Sequence, residues 1–254
     1  MASKRLIATV LIRNGVTVKS YGYRFWRPAG SLATALVNLD RWAVDEILLL
    51  DVSRRSVIQP ETLAEIRKAK ISTPLIYGGG IRTPNDVMRL LEVGVDRFVV
   101  ESLINQRTDS LRAIADIVGK QAILGSLPVI WDGAAFRAWT SSGSVDLDVA
   151  MSRLYEAPLS EVLIIDADNE GHYGKFSQGL KDTVLQITQS RESRGLIWFG
   201  GLNERIAAEL LLHQTTVGVA IGNINFEREI FLSAFRKNLH KGGFNAPVRD
   251  AKAF

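Results

Sequence analysis

The chain has 254 residues, which is long for an ordinary single domain but normal for one α/β barrel, and 46% of them are hydrophobic, enough for a large core. The absence of cysteine excludes disulfides, thiol nucleophiles and thiolate metal sites, and three scattered histidines form no ligand cluster, so we expect neither a metal nor another cofactor. A formal charge of +4 permits anionic ligands, but the sequence has no basic stripe interleaved with aromatic residues, which argues against nucleic acid as a partner.

The sequence predicts a single domain over residues 1–254. Its C-terminal end, at about 240–254, carries an excess of Lys and Arg and is expected to be a solvated tail. No apolar run approaches the roughly 18 residues that span a bilayer, and residues 1–15 lack the long apolar centre and small-residue cleavage site of a signal peptide. We therefore expect a cytoplasmic protein that has no membrane partner.

Short β-rich segments alternate along the chain with segments in which apolar residues recur at helical spacing. The eight predicted strands are residues 6–12, 46–52, 74–79, 97–102, 122–127, 161–167, 195–201 and 217–222. The eight predicted helices are residues 31–43, 60–70, 83–94, 109–119, 146–157, 179–190, 203–214 and 227–239. This alternation indicates a parallel sheet covered by helices, and eight such units predict an α/β fold, a closed (βα)₈ TIM barrel.

Residues 21–30, YGYRFWRPAG, are expected to form the loop that follows the first predicted strand. The interpretation we favour is that Phe25 and Trp26 pack over the mouth of the barrel, although the aromatic side chains also suit stacking on a sugar or base, or shielding a partner contact. Arg24 and Arg27 would lie where they can approach a phosphate.

The two halves of the chain resemble each other. LLLDVSRR followed by YGGGIRTPNDV in the first half is matched by LIIDADNEG followed by WFGGLNERIAA in the second. In both halves a strand ends near an aspartate and the next strand ends in glycines ahead of a helix. Such an internal repeat predicts a barrel made of two pseudosymmetric half-barrels.

The carboxyl ends of the predicted strands carry the candidate functional groups, because active sites of such barrels lie at that face. Three glycine turns, at residues 78–80, 200–201 and 222–223, are typical of loops whose backbone N–H groups bind phosphate. Asp51 and Asp168, near the ends of strands 2 and 6, are either a pair of general acid–base groups or caps of their own loops, and spacing alone leaves both interpretations open.

Several of these segments resemble the cyclase subunit of imidazole glycerol phosphate synthase over essentially the whole chain: KRLIATVLIRNGVTVKS, TPLIYGGGIRT, EVLIIDADNEG, FGGLNERI and NINFEREI. The family is a (βα)₈ barrel that binds a ligand with a phosphate at each end and receives ammonia from a glutaminase docked on the opposite face. The resemblance implies one phosphate site with Gly80 and Ser102 beside Glu101, and Lys19 and Asp51 in the pocket. It implies a second phosphate site at Gly171, Gly201, Gly222 and Asn223.

The departures from the family pattern fall in the cyclase pocket. The resemblance places the family's two catalytic aspartates at Leu11 and Pro128, neither of which can transfer a proton, and the loss of one such group typically costs about 10² to 10⁴ in rate. Ile165 replaces an expected Thr, and Glu101 replaces an Asn of the first phosphate loop. The carboxylates left as catalytic candidates are Asp168, Glu170, Asp51 and Asp166.

The opposite end of the barrel retains the family pattern. The resemblance implies that a ring of two basic and two acidic side chains gates the entry of ammonia, and the corresponding residues are Arg5, Glu46, Arg97 and Glu161. Inward-pointing charges are costly unless they are paired, so we favour a gate over a salt-bridge plug that merely closes the barrel. Three further residues fall on the rim where the glutaminase would dock: Asp45, Asp96 and Gln121.

Three functions remain open on the sequence. The favoured one is an auxiliary subunit of a glutamine-dependent amidotransferase system, which docks a glutaminase, conducts ammonia, binds a phosphate-bearing ligand and serves a sugar amidotransferase in surface-polysaccharide synthesis. The second is a genuine cyclase of histidine biosynthesis, a lyase whose acid–base groups have moved. The third is a non-catalytic phosphate-ligand sensor or scaffold. The sequence therefore leaves catalysis in this barrel open.

Overall fold

The structure is a computed structural model that describes residues 4–42, 44–53, 55–106, 108–226 and 231–241. The strands, in chain order, are β1 (Arg5–Arg13), β2 (Val16–Tyr21), β3 (Phe25–Gly30), β4 (Glu46–Asp51), β5 (Leu75–Gly78), β6 (Arg97–Val100), β7 (Ile123–Trp131), β8 (Phe136–Thr140), β9 (Gly143–Asp146), β10 (Glu161–Asp166), β11 (Gly195–Phe199) and β12 (Thr216–Ile221). The helices are α1 (Leu32–Arg41), α2 (Pro60–Ala69), α3 (Pro84–Leu91), α4 (Ser102–Gln106), α5 (Thr108–Val118), α6 (Leu147–Glu156), α7 (Gln178–Thr188), α8 (Glu204–Leu211) and α9 (Phe231–Lys241).

Eight parallel strands close into a barrel in the order β1, β4, β5, β6, β7, β10, β11, β12 and back to β1. They are the eight predicted strands, so the predicted (βα)₈ TIM barrel is confirmed. Each is followed by at least one helix on the outside. Within the described ranges, no helix is both long enough and apolar enough to cross a bilayer.

Side-chain alternation along the strands divides the apolar residues into two clusters. On β1, Leu6, Ala8 and Val10 belong to the outer cluster between sheet and helices, whereas Ile7 and Leu11 belong to the inner cluster inside the barrel. The interior of the barrel, called the lumen below, is lined by thirteen buried apolar residues: Ile7, Leu11, Val18, Leu48, Leu50, Ile76, Val99, Leu124, Leu163, Ile165, Ile197, Phe199 and Ala220. The lumen is therefore a packed hydrophobic core over most of its length.

Polar side chains cap the starts of several helices. Ser31, Thr83 and Asn203 each accept a backbone N–H of the first turn of α1, α3 and α8, and Asp146 does the same for α6. The last predicted helix, 227–239, corresponds to α9, but residues 227–230 lie outside the described residues. Of the predicted tail at about 240–254, residues 240 and 241 end α9, and the rest lies outside the described residues.

The predicted loop over residues 21–30 is wrong in part, because residues 25–30 form β3, which pairs antiparallel with β2. This hairpin rises from the end of β1 and crosses the mouth of the barrel. Tyr23 and Trp26 pack on the inner cluster, as expected for Trp26. Phe25, however, is 72% exposed and does not pack over the mouth. The exposed edge of β3 also carries Arg27, whose guanidinium lies over the ring of Tyr21 at 5.8 Å.

Besides the β2–β3 hairpin, a second antiparallel extension leaves the barrel. In it, β8 pairs with the end of β7, and β9 pairs with β8. Neither strand is predicted, because both are short, β8 is only partly buried and β9 is mostly exposed, so neither has the apolar run of a buried strand. The single-turn helix α4 is also absent from the prediction.

The half-barrel repeat is visible in the backbone. Gly79 and Gly200 have φ values of 111° and 104°, which favour glycine. A Cβ at Gly79 would collide with the carbonyl oxygen of Asp51, and a Cβ at Gly200 would lie 2.5 Å from the carbonyl oxygen of Asp166. The same close approach in both halves makes Asp166, rather than Asp168, the counterpart of Asp51.

Gly200→Ala is expected to destabilise the protein by about 2 kcal/mol more than the control Gly133→Ala. Both glycines have φ near 100°, so each variant carries a backbone strain of about 1–3 kcal/mol. A Cβ at Gly133 meets nothing within 4 Å, whereas Gly200→Ala must also displace the chain at Asp166, and such overpacking costs about 1–3 kcal/mol. Urea unfolding monitored by circular dichroism measures both. Equal losses would contradict the close-approach account.

Candidate functional site

The carboxyl ends of the first and fifth barrel strands present no proton-transfer group to the lumen. Leu11 and Ile165 are each 3% exposed and belong to the inner cluster. Pro128 stands beside Ile165 in the pairing of β7 with β10. The hairpin residues Tyr23 and Trp26 pack against the same cluster from above. The mouth of the lumen is thus apolar at the positions where the family resemblance places catalytic aspartates.

Two strand-end carboxylates are bound within their own loops. Asp51 accepts the backbone N–H of Ser53 at 2.9 Å and also its hydroxyl. Asp166 accepts the amide group of Asn169 and the backbone N–H of Ser177, the latter at 2.7 Å, and its burial raises its pKa. Alternation along β4 places Leu50 in the lumen and therefore turns Asp51 outward. The prediction that Asp51 lines the pocket is not supported by this arrangement, which matches the alternative of a loop cap.

Asp168 lies two residues beyond β10, near the rim of the barrel. Its carboxylate accepts the backbone N–H of Trp131 at 2.7 Å and lies 3.7 Å from the guanidinium of Arg24. Asp168 and Asp51 therefore do not face each other across a pocket as a pair. Arg24 is engaged with this carboxylate rather than directed at a phosphate loop.

Glu170 is the most perturbed carboxylate at the mouth. It is fully buried, its Oε2 accepts the backbone N–H of Tyr23 at 3.4 Å, and its Oε1 has no hydrogen-bond partner in the described structure. Burial raises the pKa of Glu170 to about 7, although the nearby donor groups of Ser20, Tyr23 and Gly22 act to lower it. Glu170 therefore changes charge near neutral pH.

Tyr23 is absent from the predicted site residues, and the aromatic density of residues 21–30 is its only sequence signal. Its pKa is raised well above the ordinary value by burial and by the nearby carboxylates of Glu170 and Glu101. No group of three His, Asp or Glu side chains that could hold a metal ion is found among the residues the structure describes.

The four residues predicted for the second phosphate site come together. Gly171, Gly201, Gly222 and Asn223 line one small cleft of about 30 Å³ between the ends of β11 and β12. The side chain of Asn223 is already engaged, because its Oδ1 accepts the backbone N–H of Ser20 at 3.0 Å and its amide donates back to the carbonyl of Ser20. An anion in this cleft would consequently be bound by backbone N–H groups at the glycine turns.

The first predicted phosphate site is less complete. Gly80 lies against the backbone of Val57, and Ser102 begins the short helix α4 directly after Glu101. Lys19 pairs in register with Arg27 across the hairpin, on the face opposite to Val18, which packs in the lumen. The structure therefore turns Lys19 away from the lumen, contrary to its predicted place in the pocket.

The amino-terminal end of the barrel holds a closed ring of four charges, called the floor ring below. Arg5 lies 3.2 Å from Glu46 and 2.8 Å from Glu161, and Arg97 lies 3.3 Å from Glu46 and 2.8 Å from Glu161. The four side chains are between 9% and 19% exposed. Burial lowers the pKa of Arg5, but the two carboxylates more than compensate, so its pKa lies above the ordinary value. Every charge of the ring has two opposite neighbours.

The residues predicted for the rim differ in accessibility. Asp96 and Gln121 are exposed beside the floor ring, and the carboxylate of Asp96 also accepts the backbone N–H of Leu75 at 2.8 Å. Asp45 is only 7% exposed, because its carboxylate is bound by the guanidinium of Arg236 on α9 at 3.0 Å and by the backbone N–H of Leu6. Asp45 therefore ties α9 to the barrel instead of presenting a charge at the surface.

Comparisons with known proteins agree with this geometry. A family model described as "Histidine biosynthesis protein" matches residues 5–231. The chain is 30% identical over 193 residues to the imidazole glycerol phosphate synthase subunit HisF of Myxococcus xanthus, covering 73% of this chain and 76% of that protein. It is 25% identical to the HisF subunit of Pyrococcus furiosus, with the same coverage.

A Campylobacter jejuni protein, provisionally named imidazole glycerol phosphate synthase subunit hisF2, is 28% identical over 210 residues, which cover 80% of this chain and 82% of the relative. The family-model match spans the barrel from the floor ring to the second phosphate cleft. The chain therefore belongs to the histidine biosynthesis protein family, within which it is similar to the HisF subunits of imidazole glycerol phosphate synthase.

Proposed function

We propose that this protein is a cyclase-like subunit of a glutamine-dependent amidotransferase system. It docks a glutaminase on the face that carries the floor ring, conducts ammonia through the lumen, and supplies a separate sugar amidotransferase of surface-polysaccharide synthesis. The complex would work in the cytoplasm. The observation that carries the proposal is a complete charged ring beneath a lumen that has no proton-transfer group at the ends of the first and fifth barrel strands.

The lumen suits conduction better than cyclase chemistry. General acid–base catalysis needs a titratable group within hydrogen-bond reach of the reacting atom, and Leu11, Pro128 and Ile165 provide none. Ammonia is small and uncharged, so an apolar passage does not oppose its transfer as strongly as it opposes that of an ion. The relatives are named as subunits, which supports a partner that completes the system.

The floor ring supports a gate rather than an inert plug. Four charges that are more than four-fifths buried carry a desolvation cost that apolar side chains would avoid. The ring closes the end of the lumen, so ammonia would enter only when a partner displaces one of its ion pairs. A docked glutaminase is positioned to do so from the side of Asp96 and Gln121.

The second phosphate cleft supports a phosphate-bearing ligand at the opposite face. Glycine turns at Gly201 and Gly222 and the backbone of Asn223 form a surface suited to an anion, without a cation of their own. A ligand held there would contact the loop of Gly171, which also abuts the hairpin at Ser20. Binding at this cleft would therefore affect the β2–β3 hairpin over the barrel mouth. This effect would allow the ligand to regulate the glutaminase.

Mixing the protein with its glutaminase is expected to raise the rate of glutamine hydrolysis. Asp96→Lys is expected to weaken the complex about tenfold, because it reverses a charge on the docking rim. Asp109→Lys is the matched control, because Asp109 is exposed at the first turn of α5, at the opposite end of the barrel. Binding by calorimetry and ammonia release by a coupled assay give the two readouts. The absence of both a complex and a rise in turnover, with or without phosphorylated ligands, would refute the proposal.

One observation favours a second function, the genuine cyclase with displaced acid–base residues. Glu170 lies at the barrel mouth with a pKa near 7, the range in which general acid–base groups operate at neutral pH. The cyclase half-reaction needs no glutaminase, so the family's ribulosyl intermediate supplied with an ammonium salt separates the two functions. We expect no turnover. Turnover at an ordinary enzymatic rate that Glu170→Gln abolishes would establish the second function instead.

Glu170 is also expected to make the stability of the protein depend on pH. Its pKa rises from an ordinary 4.5 in the unfolded chain to about 7 in the folded protein, so the folded state holds the proton more tightly. The protonated side chain therefore contributes to the free energy of unfolding. This contribution is complete below about pH 4.5 and is lost as the pH rises through about 7, a total decrease of about 3 kcal/mol. Glu170→Gln should remove this slope.

Urea unfolding of wild type and Glu170→Gln at pH 5 and pH 8 measures the effect. The exposed Glu92 provides the control Glu92→Gln, which should leave the pH dependence of wild type unchanged. If Glu170→Gln retains the wild-type pH dependence, the carboxylate is not a buried titrating group.

A further inference from the structure

A second cavity, called the outer cleft below, lies outside the lumen at the carboxyl end of the barrel. It has a volume of about 380 Å³, within the range of small-molecule sites. It opens between the extended end of β7, the start of β8 and the segment that leads from β10 into α7. Val129 and Trp131 lie two residues apart on β7 and therefore share the face of the strand that lines this cleft. The outer cleft is therefore separate from both phosphate sites and from the lumen.

One wall of the outer cleft is aromatic. Trp131 and Phe136 are direct partners in the pairing of β7 with β8, and their ring centroids lie 4.9 Å apart at an interplanar angle of 63°. Trp131 is 51% exposed, although an indole of this size normally contributes to a core. Gly179 allows the first turn of α7 to lie close to this wall, since a Cβ there would lie 3.3 Å from the ring of Phe136. The wall offers a flat apolar surface on which another ring can stack.

The facing wall is polar and mixes donors with acceptors. The carboxylate of Asp168 is 34% exposed and holds one hydrogen bond from the N–H of Trp131. Asn169 donates its amide N–H groups to Asp166 and so keeps its Oδ1 as an acceptor. The hydroxyl of Ser177 accepts from Leu180 and keeps its O–H as a donor. The first-turn N–H groups of α7 add further donors beside it.

This mixture discriminates among ligand charges. An anion would meet the carboxylates of Asp166 and Asp168, and a cation would meet the positive end of α7 and Arg24, which already neighbours Asp168. A hydroxyl both donates and accepts, so an uncharged ring that carries several hydroxyls complements the polar wall. The C–H face of the same ring complements the indole of Trp131.

The geometry points to the outer cleft as a binding site for an uncharged sugar ring, stacked on Trp131 and hydrogen-bonded by Asp168, Asn169 and Ser177. The outer cleft includes no residue of the floor ring or the lumen, so sugar binding there does not depend on ammonia conduction. A sugar bound here would lie on the same face as the barrel mouth.

Saturation-transfer NMR and calorimetry with methyl glycosides of glucose, galactose, mannose and N-acetylglucosamine test the site. Inorganic phosphate and methylammonium serve as the charged probes. We expect at least one glycoside to bind with a dissociation constant in the millimolar range or below, Trp131→Ala to weaken it at least tenfold, and neither charged probe to compete. Phe25→Ala is the matched control, because Phe25 is an exposed aromatic residue outside the cleft.

Failure of every glycoside to bind overturns the proposal, as does binding that Trp131→Ala leaves unchanged. Displacement by methylammonium or phosphate also overturns it and would assign the cleft to a charged ligand. Circular dichroism and thermal unfolding of both variants establish that they are folded. Glutaminase activation measured on Trp131→Ala separates the two proposals, since it should persist even when glycoside binding is lost.

Discussion

Along the eight strands of the closed barrel, successive side chains point alternately inward and outward, and the rest of this structure depends on that constraint. Each inward position of a barrel strand is surrounded by the other strands, so a polar group there has no access to water except at the two ends. The chain fills the middle with residues such as Ile7, Leu48 and Ile197 and keeps its charges for the amino-terminal end, where Arg5 and Arg97 alternate with Glu46 and Glu161. Local strand geometry thus separates an apolar barrel interior from an ionic floor.

The same alternation explains why the strand-end carboxylates form no catalytic pair. Asp51 and Asp166 occupy outward positions, where each binds the loop that follows it. The carbonyl oxygens of both are approached closely by the glycine that directly follows the next strand. Their role is to fix the two half-barrels in equivalent geometry. Glu170, which follows in the loop after β10, is left as the buried titratable group at the mouth.

The barrel could be predicted from the sequence because its buried parallel strands are short, nearly continuous apolar runs, as in residues 46–51. The hairpin strands β3 and β9 could not, since exposed edge strands with Arg, Pro and Gly lack that signal. The second phosphate cleft and the floor ring were found through residue identity and family resemblance. The outward turn of Lys19 and the burial of Asp45 by Arg236 depend on contacts between distant segments, which spacing along the chain does not encode.

The exchange of hydrogen bonds between Ser20 and Asn223 joins segments about two hundred residues apart. The backbone of Gly22 likewise donates to the carbonyl of Glu170, from the sixth strand unit. During synthesis the hairpin leaves the ribosome early, but Glu170 and Asn223, which hold it by hydrogen bonds, emerge late. The β2–β3 hairpin therefore cannot pack over the barrel mouth until β12 has joined the barrel. In a nascent or truncated chain, its aromatic residues would stay exposed and accessible to chaperones.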